Sequence, residues 1–172
     1  MAMRKCKYCG NKYEPKYTST EPCPNYECRL KHLEANKAKI KLASTKRAKE
    51  RMKSYSQRLG EAKKVFQKWV RFRDKDLPCI SCGAKECEEW AGGHYFKAET
   101  YTWLIFDERN CHKQCNAYCN KYRDGSQAEY RIGLVKRYGE EYVKGLEELA
   151  QVKQQKRYSN EELEHIKTKY KL

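Results

Sequence analysis

The sequence predicts a mainly helical α+β protein with a small sheet, in which metal-bound cysteines replace part of a hydrophobic core. Three observations support this fold class. Residues 29–74 contain no proline and a single glycine. Two short segments in the middle of the chain are rich in aromatic and β-branched residues. Ten cysteines occur among 172 residues, most of them in closely spaced pairs. This length suggests one or two small domains.

Composition argues against a membrane protein or a secreted one. No apolar run approaches the ~20 residues needed to cross a bilayer. The N-terminal residues also lack the apolar segment of a signal peptide. We therefore expect a cytoplasmic protein. In that compartment, paired cysteines serve metal binding more often than disulfide formation.

Residues 1–28 form the first predicted domain, an N-terminal zinc knuckle. Its cysteines are spaced C-x2-C and C-x4-C, and they are Cys6, Cys9, Cys23 and Cys28. Four thiolates suit a tetrahedral structural Zn²⁺, whose binding energy can stand in for a missing core. His32 could replace Cys28 as the fourth ligand, and redox-active or unused thiols are the alternative interpretation.

Residues 29–75 form a predicted basic helical arm. This stretch carries 17 Lys and Arg against 4 Asp and Glu, nearly all of the excess in a chain of net charge +15. Such a block is typical of a phosphate-backbone binder, although a solvated helix face would look the same. The candidate DNA-binding residues are Lys37, Lys39, Lys41, Lys46, Arg47, Lys49, Arg51 and Lys53.

The absence of helix breakers in the arm predicts one long helix or two helices end to end. Apolar residues are sparse in its first half. In the second half they recur every three or four residues, as Leu59, Ala62, Phe66, Trp69 and Val70. This stripe is able to dock on the domain that follows.

Residues 76–125 form the second predicted zinc domain. Its proposed ligands are two further cysteine pairs, Cys79 with Cys82 and Cys115 with Cys119. Residues 90–96 and 101–106 read as the two strands of a hairpin, and the second cysteine pair opens a short helix. Two cysteines are left over, and either could displace a proposed ligand. They are Cys87 and Cys111.

Residues 126–172 are predicted to form C-terminal packing helices. Ser126 with Glu129 reads as a capping box before a helix that Gly139 stops. Another helix follows over residues 140–151. Ser159 with Glu162 reads as a capping box for the last helix.

The motifs around the second zinc site resemble those of known nucleases. They are Gly93-His94-Tyr95, Glu108-Arg109-Asn110, His112-Lys-Gln-Cys115 and Cys119-Asn120. This set is similar to the HNH nucleases with a ββα-metal fold, and more closely to the NinG (Rap) recombination proteins of lambdoid phages. The resemblance extends over most of the chain.

The resemblance implies an endonuclease that cuts branched recombination intermediates, such as Holliday junctions and D-loops, inside the bacterial host cell. It implies Mg²⁺ or Mn²⁺ as the catalytic cation, separate from about two structural Zn²⁺ ions. His94 would be the general base, Asn110 would hold the loop that orients His94, and Asn120 would ligate the cation. Asn110 and Asn120 are alternatively read as helix or turn caps.

One feature departs from the HNH pattern, because Trp90-Ala-Gly-Gly93 stands where many HNH nucleases carry an acidic metal ligand near the histidine. The second cation ligand is therefore open. The candidates are Glu88, Glu89, Glu99, Asp107 and His112.

Branched DNA is the expected partner, with phage or host recombination proteins as further ones. Cutting two symmetric strands of a four-way junction would suit a homodimer. Tyr55, Trp69, Trp90 and Trp103 could stack on unpaired bases or simply belong to the core. The rival hypothesis is a non-catalytic, zinc-stabilised adaptor that binds branched nucleic acid and recruits partners.

Overall fold

A computed structural model describes residues 2–16, 22–152 and 154–172. Contacts divide the chain into two compact units, Met1–Lys53 and Ser54–Leu172. The division falls inside the predicted arm 29–75, so the two halves of that arm belong to different units. None of the helices in the described ranges is both long enough and apolar enough to span a bilayer.

The first unit is a small two-stranded sheet followed by one long helix. Strand β1 (Arg4–Lys5) pairs antiparallel with β2 (Lys12–Tyr13). Helix α1 (Tyr26–Arg51) begins after Asn25, whose Oδ1 accepts the backbone N–H of Cys28 at 3.2 Å. Cys28 is the buried residue of this helix. The unit therefore has almost no apolar core apart from its cysteines.

Two helices, rather than one, cover the breaker-free stretch. Helix α1 ends at Arg51, and α2 (Tyr55–Arg73) begins after Ser54. Ser54 and Gln57 form a reciprocal capping box, with bonds of 3.3 and 2.8 Å. This capping box starts a new helix without a proline or glycine. The absence of helix breakers therefore could not distinguish one long helix from two.

The second unit contains α2 and the remaining elements. In chain order these are β3 (Trp90–His94), a 3-10 turn (Thr102–Leu104), β4 (Cys111–Cys115), a π-helical segment (Asn116–Tyr122), α3 (Gln127–Tyr138), α4 (Glu140–Gln151) and α5 (Asn160–Lys169). Strands β3 and β4 pair antiparallel, with Trp90 opposite Cys115 and His94 opposite Cys111. The predicted mainly helical α+β class is confirmed.

The predicted second strand of the hairpin, residues 101–106, is wrong. The partner of β3 is β4, and residues 101–106 form a turn in which Leu104 and Ile105 are buried. Their backbone bonds locally, with the amides of Tyr101 and Leu104 donating to Lys97 and Tyr101 at 2.9 Å each. The aromatic composition reflects burial against the helices and not strand pairing, because β-propensity measures mainly side-chain packing.

The apolar stripe of α2 docks on the rest of its own unit, as predicted. Ala62, Phe66 and Val70 are fully buried, and they pack against β4 and α5 residues such as Cys111 and Leu163. A second cluster lies under α3 and α4, around Tyr130, Leu134, Val143 and Leu146. The hairpin β3–β4 is thus held between two helical layers.

The two predicted capping boxes have different outcomes. Ser159 with Glu162 is confirmed, with bonds of 3.1 and 2.7 Å. Ser126 with Glu129 is wrong, because Ser126 lies in the left-handed region at φ +48° and makes no cap bond. Its hydroxyl donates to the Cys119 carbonyl, and Glu129 pairs with Arg123. The tight turn after the π-helical segment sets this conformation.

Gly133 in α3 should not tolerate a side chain. A Cβ there would lie 1.7 Å from the carbonyl oxygen of Ile80, a backbone atom that cannot move cheaply. We expect Gly133→Ala to destabilise the protein by about 3 kcal/mol. Denaturant unfolding would measure the change.

The matched control is Gly145→Ala in α4, where a Cβ meets nothing within 4 Å. This variant should gain about 1 kcal/mol from helix propensity. Equal effects of the two substitutions would contradict the close packing of α3 on the turn at Ile80.

Candidate metal centres and candidate catalytic cleft

The first cysteine cluster lies in the N-terminal unit and consists of Cys6, Cys9, Cys23 and Cys28. Their sulfurs all lie within 4.8 Å of one another, with 3.9 Å between Cys9 and Cys23. His32 is not part of this group. Backbone N–H groups of Cys9 and Tyr8 lower the pKa of Cys6 to about 7, which favours the thiolate form that binds metal.

The second cysteine cluster consists of Cys79, Cys82, Cys115 and Cys119. The Sγ–Sγ distance is 3.9 Å for Cys79 and Cys119, and 3.7 Å for Cys82 and Cys115. A tetrahedron of thiolates with metal–sulfur bonds near 2.3 Å has sulfurs about 3.8 Å apart. Both clusters could therefore hold a structural metal ion.

The remaining two cysteines stand outside both groups. Cys111 is fully buried among apolar side chains, and burial raises the pKa of its thiol. Cys87 packs beside the second cluster and donates its S–H to the carbonyl of Glu89 at 3.2 Å. Within the described ranges, only these two clusters bring the ligand atoms of three or more His, Cys, Asp or Glu residues within 4.8 Å of one another.

Loss of one ligand should remove one metal ion. We expect wild type to bind about two Zn²⁺ per chain and Cys119→Ser to bind about one, because three thiolates hold zinc less tightly than four. Elemental analysis of the purified proteins measures this ratio. Cys87→Ser is the control and should keep two, and a loss of zinc in that variant would contradict the ligand set.

A cleft of about 270 Å³ is lined in part by Asn120, the residue that follows Cys119 of the second cluster. It brings together residues from α2, the end of β3, the following loop and the π-helical segment. Among the residues that line it are Lys63, Gln67, His94, Lys97, Glu99, Asn120 and Asp124. Two of the three predicted catalytic residues, His94 and Asn120, therefore share one surface.

The imidazole of His94 is held in one orientation. Its Nε2 lies 2.9 Å from the carbonyl oxygen of Ile105. A carbonyl only accepts, so Nε2 carries the proton and Nδ1 keeps its lone pair. Desolvation lowers the pKa of His94 below its ordinary value of 6.5. The ring is therefore neutral at pH 7, the form that a general base requires.

Asn110 lies outside the cleft and is fully buried. Its Oδ1 accepts the Phe96 amide at 2.8 Å, and its Nδ2 donates to the carbonyls of Phe96 and Leu104 at 3.0 and 3.1 Å. These bonds cross-link the loop that follows His94 and ends beside Ile105. The geometry is not that of a helix cap.

Asn120 lines the cleft from the π-helical segment, directly after Cys119 of the second cysteine cluster. Its Nδ2 donates to the Oδ1 of Asn116 at 3.4 Å. Asp124 follows about one turn later and also lines the cleft. Its carboxylate accepts from Lys97 at 2.5 Å, while Glu99 accepts from Lys63 at 3.1 Å.

Of the five candidates for a second cation ligand, the structure brings only Glu99 to the cleft. His112 is buried, lies 3.1 Å from the Tyr130 hydroxyl, and has its pKa lowered to about 3 by desolvation. Asp107 pairs with Arg109, and Glu89 with Asn116. Glu88 is exposed and is not among the cleft residues.

Three cleft residues were missed by sequence reasoning: Asp124, Lys63 and Lys97. The signal for Asp124 was its spacing, four residues after Asn120 in a predicted helix. The lysines carried no signal, since Lys63 lies in a generally basic stretch, Lys97 is an isolated basic residue, and only the fold brings them together.

Packing explains why no acidic residue precedes His94. A Cβ at Gly92 would lie 3.0 to 3.1 Å from atoms of Gln67 in α2, including its backbone. A Cβ at Gly93 would lie 2.1 Å from the Oε1 of Gln114, a buried side chain. A carboxylate side chain at either position would therefore require Gln67 or the buried Gln114 to move.

The predicted DNA-binding residues are spread along α1 and the three residues that follow it. Lys37, Lys39, Lys41, Lys46, Arg47, Lys49 and Arg51 are exposed, and Lys53 is half-buried beside Glu50. Twenty-six residues give a helix about 39 Å long. Apolar residues on this helix, such as Ile40 and Leu42, are also exposed.

Comparison with known proteins shows similarity over the whole chain. The family described as "NinG: Bacteriophage Lambda NinG protein" matches residues 1–172. The "Protein ninG" of Escherichia phage 933W is 35% identical over 189 residues, covering 98% of this chain and 90% of the relative. The "Protein ninG" of Escherichia phage lambda is 37% identical over 119 residues, covering 69% and 56%. No solved structure matches this chain.

Proposed function

The chain belongs to the NinG family of lambdoid phage proteins, and from this premise we propose that it is a divalent-metal-dependent endonuclease. Its proposed substrates are branched recombination intermediates, such as Holliday junctions and D-loops. The observation that carries the proposal is the meeting of His94 and Asn120 in a lysine-lined cleft next to a four-cysteine cluster.

His94 acts as the general base. The Ile105 carbonyl fixes the proton on Nε2, so Nδ1 is the atom that takes a proton from the attacking water. A neutral imidazole can accept this proton at pH 7, and the lowered pKa keeps it neutral. Asn110 is a positioning residue, because it braces the loop between His94 and Ile105.

The scissile phosphate would lie in the same cleft. Lys63 and Lys97 would supply positive charge to the phosphate. To do so they would leave their ion pairs with Glu99 and Asp124. Asn120 and Asp124 offer amide and carboxylate oxygens, the donors that Mg²⁺ and Mn²⁺ prefer. When bound, such a cation neutralises the charge that develops on the phosphate.

The cysteine clusters have a structural role in this proposal. Four thiolates around Zn²⁺ leave no open position for water or substrate. The second cluster instead fixes Cys119, and with it the neighbouring Asn120, relative to the strand that ends at His94.

The basic arm supplies binding without base recognition. Its lysines and arginines contact phosphates, and phosphate contacts carry no direct sequence information. This suits an enzyme that recognises the shape of a branch. A homodimer would place two clefts on a symmetric four-way junction, and phage or host recombination proteins are the proposed further partners.

One observation favours a second candidate, a zinc-stabilised adaptor that binds branched DNA without cutting it. Gly92 and Gly93 replace the usual acidic residue before the histidine, so the cleft holds fewer metal ligands than many HNH nucleases have. An adaptor would bind junctions as tightly as the nuclease would, but it would not need His94.

His94→Ala should lower cleavage of a labelled four-way junction at least a hundredfold, because the general base is lost. Junction binding should stay unchanged. The assay compares cleavage with Mg²⁺ or Mn²⁺ and uses linear duplex as the substrate control. His165→Ala, an exposed histidine on α5, should cut as wild type does. Equal cleavage by His94→Ala and wild type would eliminate the mechanism, and binding without cleavage by wild type would favour the adaptor.

Neutralising the arm should weaken binding and flatten its dependence on salt. We expect Lys39→Gln with Lys46→Gln to reduce the slope of log K against log salt by about 0.9 for each lost phosphate contact. Filter binding over a series of salt concentrations measures the slope. The control pair, Lys136→Gln with Lys171→Gln, lies outside the arm. An unchanged slope in the arm variant would exclude phosphate contacts by these residues.

A further inference from the structure

A second and larger cavity, about 720 Å³, lies on the other side of the loop that follows His94. Tyr95, Phe96, Tyr101 and Trp103 form one wall, and we call this cavity the aromatic groove. Each ring contacts the next, with centroids 4.5 Å apart for Tyr95 and Phe96, 4.9 Å for Phe96 and Tyr101, and 5.4 Å for Tyr101 and Trp103. The groove therefore presents a row of aromatic side chains.

The opposite wall is polar. It comes from the end of α4 and the segment after it, and it contributes the amides of Gln151, Gln154 and Gln155. Primary amides both donate and accept hydrogen bonds. The one acid in the lining, Glu147, is neutralised because it accepts from Arg131 at 2.8 Å.

Hydrogen bonds anchor the aromatic turn that forms one wall of the groove. The indole N–H of Trp103 donates to the Leu149 carbonyl at 3.0 Å. The Thr102 hydroxyl accepts the Lys156 amide at 2.8 Å, and the Tyr158 hydroxyl donates to the Thr102 carbonyl at 3.2 Å. These bonds hold the aromatic turn against the chain on both sides of the groove.

The groove and the candidate catalytic cleft are neighbours, separated by the loop that follows His94. Tyr95 lines both cavities, and the residues of the loop between them line either one cavity or the other. Lys97 and Glu99 line the cleft, whereas Phe96 and Tyr101 line the groove. A DNA strand with a phosphate beside Lys97 would cross this loop, and a nucleotide next to that phosphate would then meet the aromatic row.

From this proximity, the aromatic wall and the amide wall, we propose that the aromatic groove receives an unstacked nucleobase from the branch point of the DNA substrate. The inference rests on the proposed function. A nucleobase has a flat face that stacks on aromatic rings and an edge that pairs with amides, and the groove offers both. Bases next to a branch lose stacking partners, so they cost less to unstack than bases within a duplex.

The test combines a protein variant with a DNA variant. Tyr95 and Phe96 are buried, whereas Tyr101 and Trp103 are partly exposed. Tyr101→Ala removes one of these two partly exposed rings, and a single abasic site is walked through the nucleotides around the branch. Binding is measured without added Mg²⁺ or Mn²⁺, so that no strand is cut. With intact junction, Tyr101→Ala should bind roughly fivefold to a hundredfold more weakly than wild type, as expected for one lost base stack.

At one abasic position this difference between the proteins should vanish, because the base that Tyr101 contacts is already missing. Tyr101→Phe keeps the ring and should bind as wild type does. The matched control is Phe72→Ala, an exposed aromatic on α2 outside the groove. Any effect of Phe72→Ala on junction affinity should be the same at every abasic position.

Two results would overturn the inference: an effect of Tyr101→Ala that persists at all abasic positions, or a Tyr101→Phe variant as weak as Tyr101→Ala. Either would mean that the groove holds no base. If wild type binds no junction at all, the proposed function fails instead. Thermal melting of each variant shows whether it is folded.

Discussion

The second cysteine cluster is the constraint on which the rest of the larger unit depends. Its four sulfurs join the turn at Cys79 to the end of β4 and to the π-helical segment. A metal ion held by these sulfurs would fix the three elements at one point. Because Cys119 belongs to this point and β3 pairs with β4, such an ion would set the positions of both Asn120 and His94.

A buried polar network reinforces this frame from the opposite side. Arg73, at the end of α2, donates to both carboxylate oxygens of Asp74 and to the carbonyls of Glu108 and Cys111. Asp74 in turn accepts the amide of Lys113 at 3.0 Å. Each buried partner is compensated, so the network positions β4 without leaving an unpaired charge. Strand β4 therefore contacts the second cluster through Cys115 at its end and contacts Asp74 through the amide of Lys113.

The sequence predicted local features better than pairings. Cysteine spacing identified both clusters, and the stripe on α2 identified its buried face, because each depends on residues close in the chain. The predicted pairing of residues 90–96 with 101–106 was wrong. The side chain of Asn110 and the hydrogen bonds of the turn at Tyr101 take up backbone groups that a hairpin would have used. Long-range neighbours such as Lys63 had no local signal, and the cap at Ser126 failed because a neighbouring turn determined its φ.

In the proposed mechanism, two kinds of positive charge would serve different steps. Helix α1 carries many exposed charges and almost no core, so its attraction to phosphates would be strong, general and easily screened by salt. The cleft carries two lysines that already pair with carboxylates, so a phosphate would enter it only by replacing those acids. General attraction would concentrate DNA on the protein, and the exchange in the cleft would reserve close contact for a strand whose phosphate can reach His94. Selectivity for branches would thus arise at the cleft and not along the arm.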